Sequence, residues 1–306
     1  MTTEQIINST LNKTQKITAL LETGKTRKEV ATLMNVGYGF VQNVYAKMQN
    51  PNRTNTTQVL SFVPSTFNKK FGIEIESYAV PKNKLLQALR LAGINVEDEA
   101  YNHNTRPHWK IVSDSSINGD NTFELVSPPL QGQSGLDEVK IVSQVLTRLG
   151  AKINKTCGMH VHFEAINFDL QQWKNIFINY ANLETTIDDF MPQSRRANNA
   201  KYCQSIIKYK TAIANATAIT DFKNIMTGRY YKINPQSFSR HKTIEFRQHC
   251  GTIEFEKIEK WILFLHNLID YSKNYTINNG NFETLKTFNQ QEVTTFYHHR
   301  TQDLAA

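Results

Sequence analysis

The chain has 306 residues, 40% of them hydrophobic, and a formal net charge of +8. That length suits one large domain or two smaller ones with a core of ordinary size, and three widely spaced cysteines, Cys157, Cys203 and Cys250, argue against a disulfide framework. No apolar run approaches the roughly 20 residues that cross a bilayer, and the opening Met-Thr-Thr-Glu-Gln lacks the regions of a secretory signal, so a soluble cytoplasmic protein with no membrane partner is expected.

Residues 1–66 hold seven Lys and Arg against three acids, half of the whole positive excess. A basic balance fits nucleic acid or phosphate-bearing partners, though it also serves solubility. Ile17, Leu20 and Leu21 have helical spacing, and Gly24 ends that segment. Thr26 can cap a second helix, with Glu29 completing a capping box and Val30, Leu33 and Met34 as its apolar stripe. Asn35-Val36-Gly37 reads as a turn. Tyr38 to Met48 then forms a third helix with Val41, Val44, Tyr45 and Met48 inward. Two helices joined by a short Gly-containing turn are the helix-turn-helix signature. The stretch Gly-Lys-Thr-Arg-Lys-Glu-Val-Ala-Thr-Leu-Met-Asn-Val-Gly, residues 24–37, resembles the helix-turn-helix of resolvases, invertases and small repressors. That resemblance implies DNA binding through residues 14–49, with Tyr38, Gln42, Asn43 and Lys47 presented to the groove. A small bundle that contacts protein is the alternative.

Residues 1–50 are thus expected to form a helical domain. Residues 51–66, polar and nearly free of apolar side chains, read as a linker. Residues 67–276 read as a second domain and 277–306 as a polar tail. Within the second domain, Phe71 to Tyr78 alternates as a strand. Pro81 starts a helix that Gly93 stops. Residues 97–107 read as loop. Trp109 to Val112 and Thr122 to Ser127 read as paired strands. Ser134 can cap a helix ending at Gly150. Gly158 to Phe163 is strand, and Asp169 can cap a long helix that Pro192 ends. Residues 193–235 give no clear pattern. Lys242 to His249 is strand, and Thr252 can cap a last helix. The expected class is α+β: a small all-α domain, then a mainly antiparallel sheet with helices on its outer face.

The candidate chemistry sits on these strands. Alternation puts Glu74 and Glu76 on one face, about 6 to 7 Å apart at ~3.3 Å per residue. Such a bare pair repels by about 2 to 3 kcal/mol at an effective dielectric of about 20. Glu124, His160, His162 and Glu245 occupy similar alternating positions. Hard oxygen donors with an imidazole suit Mg²⁺ or Mn²⁺. Cys157, His160 and His162 also permit a zinc reading, but no fourth ligand has zinc-finger spacing. Arg247, on the face of Glu245, can neutralise a phosphoryl group or simply pair with that glutamate. His249 falls on the same alternation without a role, and a plain structural histidine is the alternative.

Seven stretches occur in one order: Phe71 to Glu76 (Phe-Gly-Ile-Glu-Ile-Glu); Trp109, Asp114 and Ser116; Phe123 to Pro128; Gly158 to His162 (Gly-Met-His-Val-His); Ser194 to Cys203; Arg229, Tyr230 and Asn234; and Thr243 to Thr252. Over residues 67–270 this ordered set resembles the amidoligase family of glutamine synthetase-like carboxylate–amine ligases. The resemblance implies an ATP- and Mg-dependent ligase that forms an amide through an acyl phosphate, taking small-molecule, peptide or protein carboxylates and amines. It implies metal ligation by Glu74, Glu76, Glu124, His160 and Glu245, and phosphoryl stabilisation by Arg247. His162 becomes a substrate or supporting contact, Asp114 helps deprotonate or orient the amine, and Trp109 is a wall of the pocket. Arg195, Arg196, Arg229 and Lys232 are candidates for the ATP phosphates or the substrate carboxylate, with a plain exposed basic surface as the alternative. The competing readings are a DNA-binding regulator whose ligase-like domain senses a ligand, and a metal-dependent hydrolase.

Overall fold

The computed structural model describes residues 1–49 and 62–305, with the side chains of Asn43, Ala46, Lys47 and Gln49 outside that description. Two compact units divide between Ser61 and Phe62. Most of the expected linker therefore lies outside the described residues. Its last part belongs to the second unit: Phe62 packs edge-on against Tyr271, and the Ser65 amide donates to Asp270 Oδ2 at 2.9 Å.

The first unit holds α1 (Thr3–Ile7), α2 (Lys13–Glu22), α3 (Arg27–Leu33) and α4 (Tyr38–Gln49). Capping boxes start α1 at Thr2, α2 at Asn12 and α3 at Thr26, each satisfying amides that a helix start leaves unpaired. Between α3 and α4, Asn35 adopts φ 49°, the Val36 amide donates to Ala31 O and the Asn35 amide to Thr32 O. That is the paired-bond ending of a helix whose first outside residue is left-handed. Helices this short are marginal alone; Ile6, Ile17, Leu20, Val30, Val41 and Val44 hold them together in one buried cluster. The sequence did not reveal α1, because only Ile6 of its five residues is buried.

The second unit is built on β1 (Lys70–Ser77), followed by α5 (Lys82–Leu91), β2 (Val96–Asp98), β3 (Trp109–Val112), β4 (Phe123–Val126), β5 (Leu130–Gln131), α6 (Gly132–Arg148), β6 (Met159–Glu164) and α7 (Leu170–Asp189). The stretch without a sequence pattern contains two short 3₁₀ turns, α8 (Lys210–Ala214), α9 (Asp221–Ile225) and β7 (Ile233–Asn234), and α10 (Ser237–His241) follows it. Then come β8 (Thr243–Phe246), α11 (Phe255–Tyr271), α12 (Phe282–Leu285) and α13 (Gln291–Ala305). The sheet order is β2-β3-β4-β1-β6-β8-β7, with β5 also paired to β1. Only β2 and β3 pair in parallel. A mixed, mainly antiparallel sheet with packed helices is thus the observed class.

One face of this sheet is apolar. Ile73, Ile75, Leu125, Val161, Phe163, Ile244 and Phe246 join the buried side chains of α5, α6, α7 and α11 in a single core. Gly93 and Gly150, at φ 85° and 74°, end α5 and α6 in the left-handed conformation that a side chain would resist. Asp169 caps α7 through the Gln172 amide as expected, but Ser134 and Thr252 are not the cap residues: α6 starts at Gly132, and α11 starts after Glu254, whose amide donates to Thr252 Oγ1 at 3.1 Å. Among the described residues no helix is long and apolar enough to cross a membrane.

Three expectations are corrected. Residues 97–107 begin within β2, which sequence periodicity could not reveal because only Val96 of its three residues is buried. The polar C-terminal segment is not a loose tail. Val293 and Tyr297, one turn apart on α13, enter the core, the Tyr297 ring lies 4.2 Å from that of Phe190, and Arg300 Nε donates to Phe190 O at 2.8 Å. That apolar stripe is too narrow to stand out among charged neighbours.

The third correction concerns His249. Strand β8 stops at Phe246, so the alternation does not carry His249 to the face of Glu245. His249 is fully buried, its ring 5.5 Å from that of Trp261, and Nδ1–H donates to Cys250 O at 2.7 Å. Burial, helped by the charge of Arg300, pushes it down from 6.5 to about 3. Between those limits the unfolded chain binds a proton that the folded chain refuses, so stability falls as pH falls. We expect His249→Phe to flatten the acid limb by ~1.4 kcal/mol per pH unit below about 6. Urea unfolding at pH 7 and pH 5 measures it, and equal pH slopes for the two proteins would refute it.

Candidate active site

The opposite face of the sheet is polar for the same reason that the first is apolar. Residues directly across an antiparallel pair share a face. The register sets Glu76 opposite Glu124, Glu74 opposite His160, His162 opposite Glu245, and Glu245 opposite Asn234. Five adjacent strands therefore deliver four glutamates, two histidines and an asparagine to one surface.

Hydrogen bonds fix their orientation. His160 Nδ1 lies 2.8 Å from Glu74 Oε2, and the Gly158 amide donates to Glu76 Oε2 at 2.6 Å. Arg247 Nη1 donates to Glu245 Oε1, and Asn234 Nδ2 donates to Glu245 Oε2 at 2.6 Å. His162 Nδ1 is 3.0 Å from Thr243 Oγ1, and its Nε2 is 3.3 Å from Glu74 Oε1. Gly158 has a steric role as well. A Cβ there would lie 3.0 Å from both Arg195 Nη2 and His160 Nε2, so glycine lets these groups approach the strand.

The charges are unevenly compensated. Burial raises the Glu74 carboxyl, but hydrogen bonds and charge from His160 and His162 outweigh it and hold it well below the usual carboxylate range. Burial also opposes ionisation of Glu245; the charges of Arg247 and His162 bring it below normal. Burial disfavours the Arg247 cation, yet Glu245 and Glu74 push its guanidinium up. Glu124 is the exception. Burial and the repulsion of Glu74, Glu76 and Asp114 push it well above the normal range.

Excess negative charge of this kind marks a place that a cation would relieve. Three groups have ligand atoms within 4.8 Å of one another: Glu74, Glu124 and His160; Glu76, Asp114 and Glu124; and Glu74, His162 and Glu245. The donors are mainly carboxylate oxygens, which fit a hard divalent cation better than zinc in a thiolate site. Cys157 takes no part: it is buried, with its thiol pushed up by burial and 3.8 Å from Asn154 Oδ1.

These groups line a cavity of about 1170 Å³, together with Arg195, Arg229, Arg240 and Arg247. Arg195 is buried and donates through Nη2 to Cys157 O at 2.6 Å, and Arg229 Nη1 lies 3.3 Å from His103 Nε2. Asp114 lines the same cavity, accepts from the Ser116 amide at 2.7 Å and stands among the acids.

Three expected positions are corrected. Arg196 is absent from the cavity lining; its Nε donates to Met191 O at 2.7 Å, tying down the chain after α7. Lys232 is fully buried and paired with Glu184 at 3.0 Å and Asp188 at 2.6 Å, so it braces β7 against α7. Trp109 belongs to the apolar core, where its Nε1 donates to Glu138. Several lining residues escaped the sequence reading, namely Tyr101, His103, Arg240, His241 and Asn234 as a partner of Glu245. Asn234 had a signal in its spacing from Arg229. Tyr101 and His103 stand in an irregular segment, and Arg240 and His241 in a five-residue helix too short for its period to report which way a side chain faces.

The described part of the helical unit exposes Tyr38 and Phe40 at the start of α4. Gln42 is not free, because its Oε1 accepts from Arg27 Nη1 at 2.7 Å. The side chains of Asn43 and Lys47 lie outside the described residues.

Residues 68–269 match the family described as "Putative amidoligase enzyme". The chain belongs to this family, a class of ligases. A solved structure described as "Crystal structure of novel glutamine synthase homolog" is similar at 11% identity and a TM-score of 0.38, over 79% of this chain. The chain spans 65% of the length of that structure. No curated protein matches.

The acidic face generates a measurable expectation. Mn²⁺ should raise the melting temperature of the native protein, by mass action worth about 2.7 kcal/mol at a hundredfold excess over Kd. Glu124→Gln should melt higher than the native protein without metal, because repulsion is relieved, and should lose most of the Mn²⁺ response. Scanning calorimetry with EDTA and with Mn²⁺ checks both signs; a full Mn²⁺ response in the variant would contradict the site.

Proposed function

We propose that the second unit is an ATP-dependent carboxylate–amine ligase that makes an amide through an acyl phosphate. The observation that carries this reading is the single sheet face on which Glu74, Glu76, Glu124, His160 and Glu245 meet Arg247 inside an arginine-walled cavity. Family membership supports the same class. In the proposed reaction a substrate carboxylate oxygen takes the γ-phosphoryl group from ATP, releasing ADP. An amine nitrogen then attacks the acyl carbon, phosphate leaves, and the amine loses its proton.

The acids, with Asp114 added by its place among them, would hold Mg²⁺, which would supply positive charge to offset the negative charge developing on the phosphate. The chain's own groups supply the rest. Glu74 holds the His160 ring in one orientation. Asn234 and Arg247 clamp the Glu245 carboxylate from both oxygens. Arg247, anchored there, is the cation nearest the acids and offers its remaining N–H groups to a moving phosphoryl group. Arg195, Arg229 and Arg240 give a long polyanion further contacts along the cavity wall. His162 faces the same space as a substrate contact.

The test is release of ADP and phosphate that requires ATP, Mg²⁺, an acid and an amine together. Glu245→Ala should abolish it with folding intact, and Arg247→Ala should lower kcat by ~10²- to 10³-fold. Full turnover by Glu245→Ala would remove this assignment. Turnover of an amide or phosphoester without nucleotide would favour a hydrolase instead.

For residues 1–49 we propose contact with DNA. The α3–turn–α4 pair, the exposed aromatic start of α4 and the local basic excess support it. Duplex binding by the full chain should weaken with salt at a log–log slope of about −0.9 per phosphate contacted. Deletion of residues 1–61 should abolish that binding. Equal affinity in the truncated protein would move nucleic-acid binding elsewhere or dismiss it.

A further inference from the structure

A second cavity of about 150 Å³ opens on the same sheet face. It shares Glu74, Glu124, His103, His162 and His241 with the larger one. The order along β1 shows how they adjoin: Gly72 lines only the small cavity, Glu74 lines both, and Glu76 lines only the large one. A strap of residues 101–105 crosses this junction. Lys110 Nζ, rising from β3, donates to Asn102 O and Asn104 O at 3.0 and 2.9 Å. At the far side Thr105 Oγ1 lies 2.9 Å from His241 Nδ1, and His103 Nε2 lies 3.3 Å from Arg229 Nη1.

The two cavities differ in charge. The large one has four arginines and suits a polyanion. The small one has no arginine, and both of its lysines are engaged. Lys110 Nζ is surrounded by three oxygens of Asn102 and Asn104, and Lys70 is 3.5 Å from Glu164. Its acids are Glu74 and Glu124, shared with the larger cavity, and Glu164, the partner of Lys70; its apolar lining includes Val126, Pro128 and Pro129. A carboxylate entering here meets carboxylates. A primary aliphatic amine, a cation near neutral pH, meets charge complementarity at its head and apolar surface along its stem. The volume holds about five water-sized groups at ~30 Å³ each, which bounds the occupant to a short amine or the tip of a lysine-like chain.

We infer that the small cavity is the amine site, entered from the side of the strap opposite the nucleotide. This rests on the ligase reading for the second substrate, but its charge and size selectivity can be measured by binding alone. Gly72 provides a plug. A Cβ there meets nothing nearer than Ser127 Oγ at 3.6 Å, and its φ is not in the left-handed region, so a side chain fits the fold while filling the cavity floor.

Saturation-transfer NMR on the full chain, with butylammonium and butyrate as probes and AMP-PNP with Mg²⁺ as the nucleotide, tests it. Butylammonium should bind, butyrate should not, and AMP-PNP should leave the butylammonium signal in place. Gly72→Leu should weaken butylammonium at least tenfold while retaining AMP-PNP. Glu164→Gln, at a half-exposed position that folding tolerates, should weaken it about threefold. Butyrate binding blocked by Gly72→Leu, displacement of butylammonium by AMP-PNP, or an unchanged signal in both variants would overturn the assignment. AMP-PNP binding without any butylammonium signal would sink the amine site and leave the ligase reading standing. Butylammonium binding sensitive to Gly72→Leu without AMP-PNP binding would do the reverse.

Discussion

Everything in the second unit depends on the two-residue period of its strands. In β1, β4, β6 and β8 apolar residues turned to the helices alternate with residues turned away, which include Glu74, Glu76, Glu124, His160, His162 and Glu245 along with Gly72 and Val126. The register then aligns these polar residues across strands, so a one-residue slip in any strand would bury its acid in the helical core and expose its apolar set. Core and site are therefore specified by the same residues in the same order. The hydrophobic burial that holds Ile73 and Ile75 under the helices also holds Glu74 and Glu76 in place.

That arrangement stores a conflict. Four glutamates and Asp114 crowd one surface that is largely closed to solvent, and carboxylates under those conditions repel strongly. The protein answers locally with His160 and His162 against Glu74, Arg247 and Asn234 against Glu245, and a backbone amide against Glu76. Glu124 receives no such partner and bears the remaining repulsion, seen in its raised carboxyl. A structure that neutralised all five acids internally would have little affinity left for a cation. One that neutralised none would not fold around them. The partial compensation observed is what a cation-binding face requires.

The sequence revealed the parts that periodicity and short motifs govern. The strands carrying Glu74, Glu76, Glu124, His160 and Glu245 were legible because alternation reports facing directly. The caps at Thr26 and Asp169 were legible because capping is local. What failed was the placing of isolated basic residues. Arg195 and Arg196 are adjacent and chemically identical, yet one lines the cavity and the other ties down the end of α7. Nothing local distinguishes them, because the choice is made by a turn whose shape depends on the tertiary structure. His249 failed for a related reason: the strand stops after Phe246, and the alternation that had been reliable no longer applied.

Lys232 shows how the same limit hides a structural role. A buried ammonium is stable only with full pairing, and removing one partner of such a group costs about 3 to 5 kcal/mol through the charge left behind. Glu184 and Asp188, one turn apart on α7, supply that pairing. The network then spreads: Asp188 also accepts from the Ala197 amide and from Gln248, while the backbone of Lys232 accepts the amide of Arg247. The segment bearing Arg195 and the segment bearing Arg247 are thus both referred to one buried cation. Lys232 was a candidate to meet phosphate or a substrate carboxylate. Its position instead connects the two arginine-bearing segments to α7, which keeps their guanidinium groups on the cavity wall without Lys232 entering it.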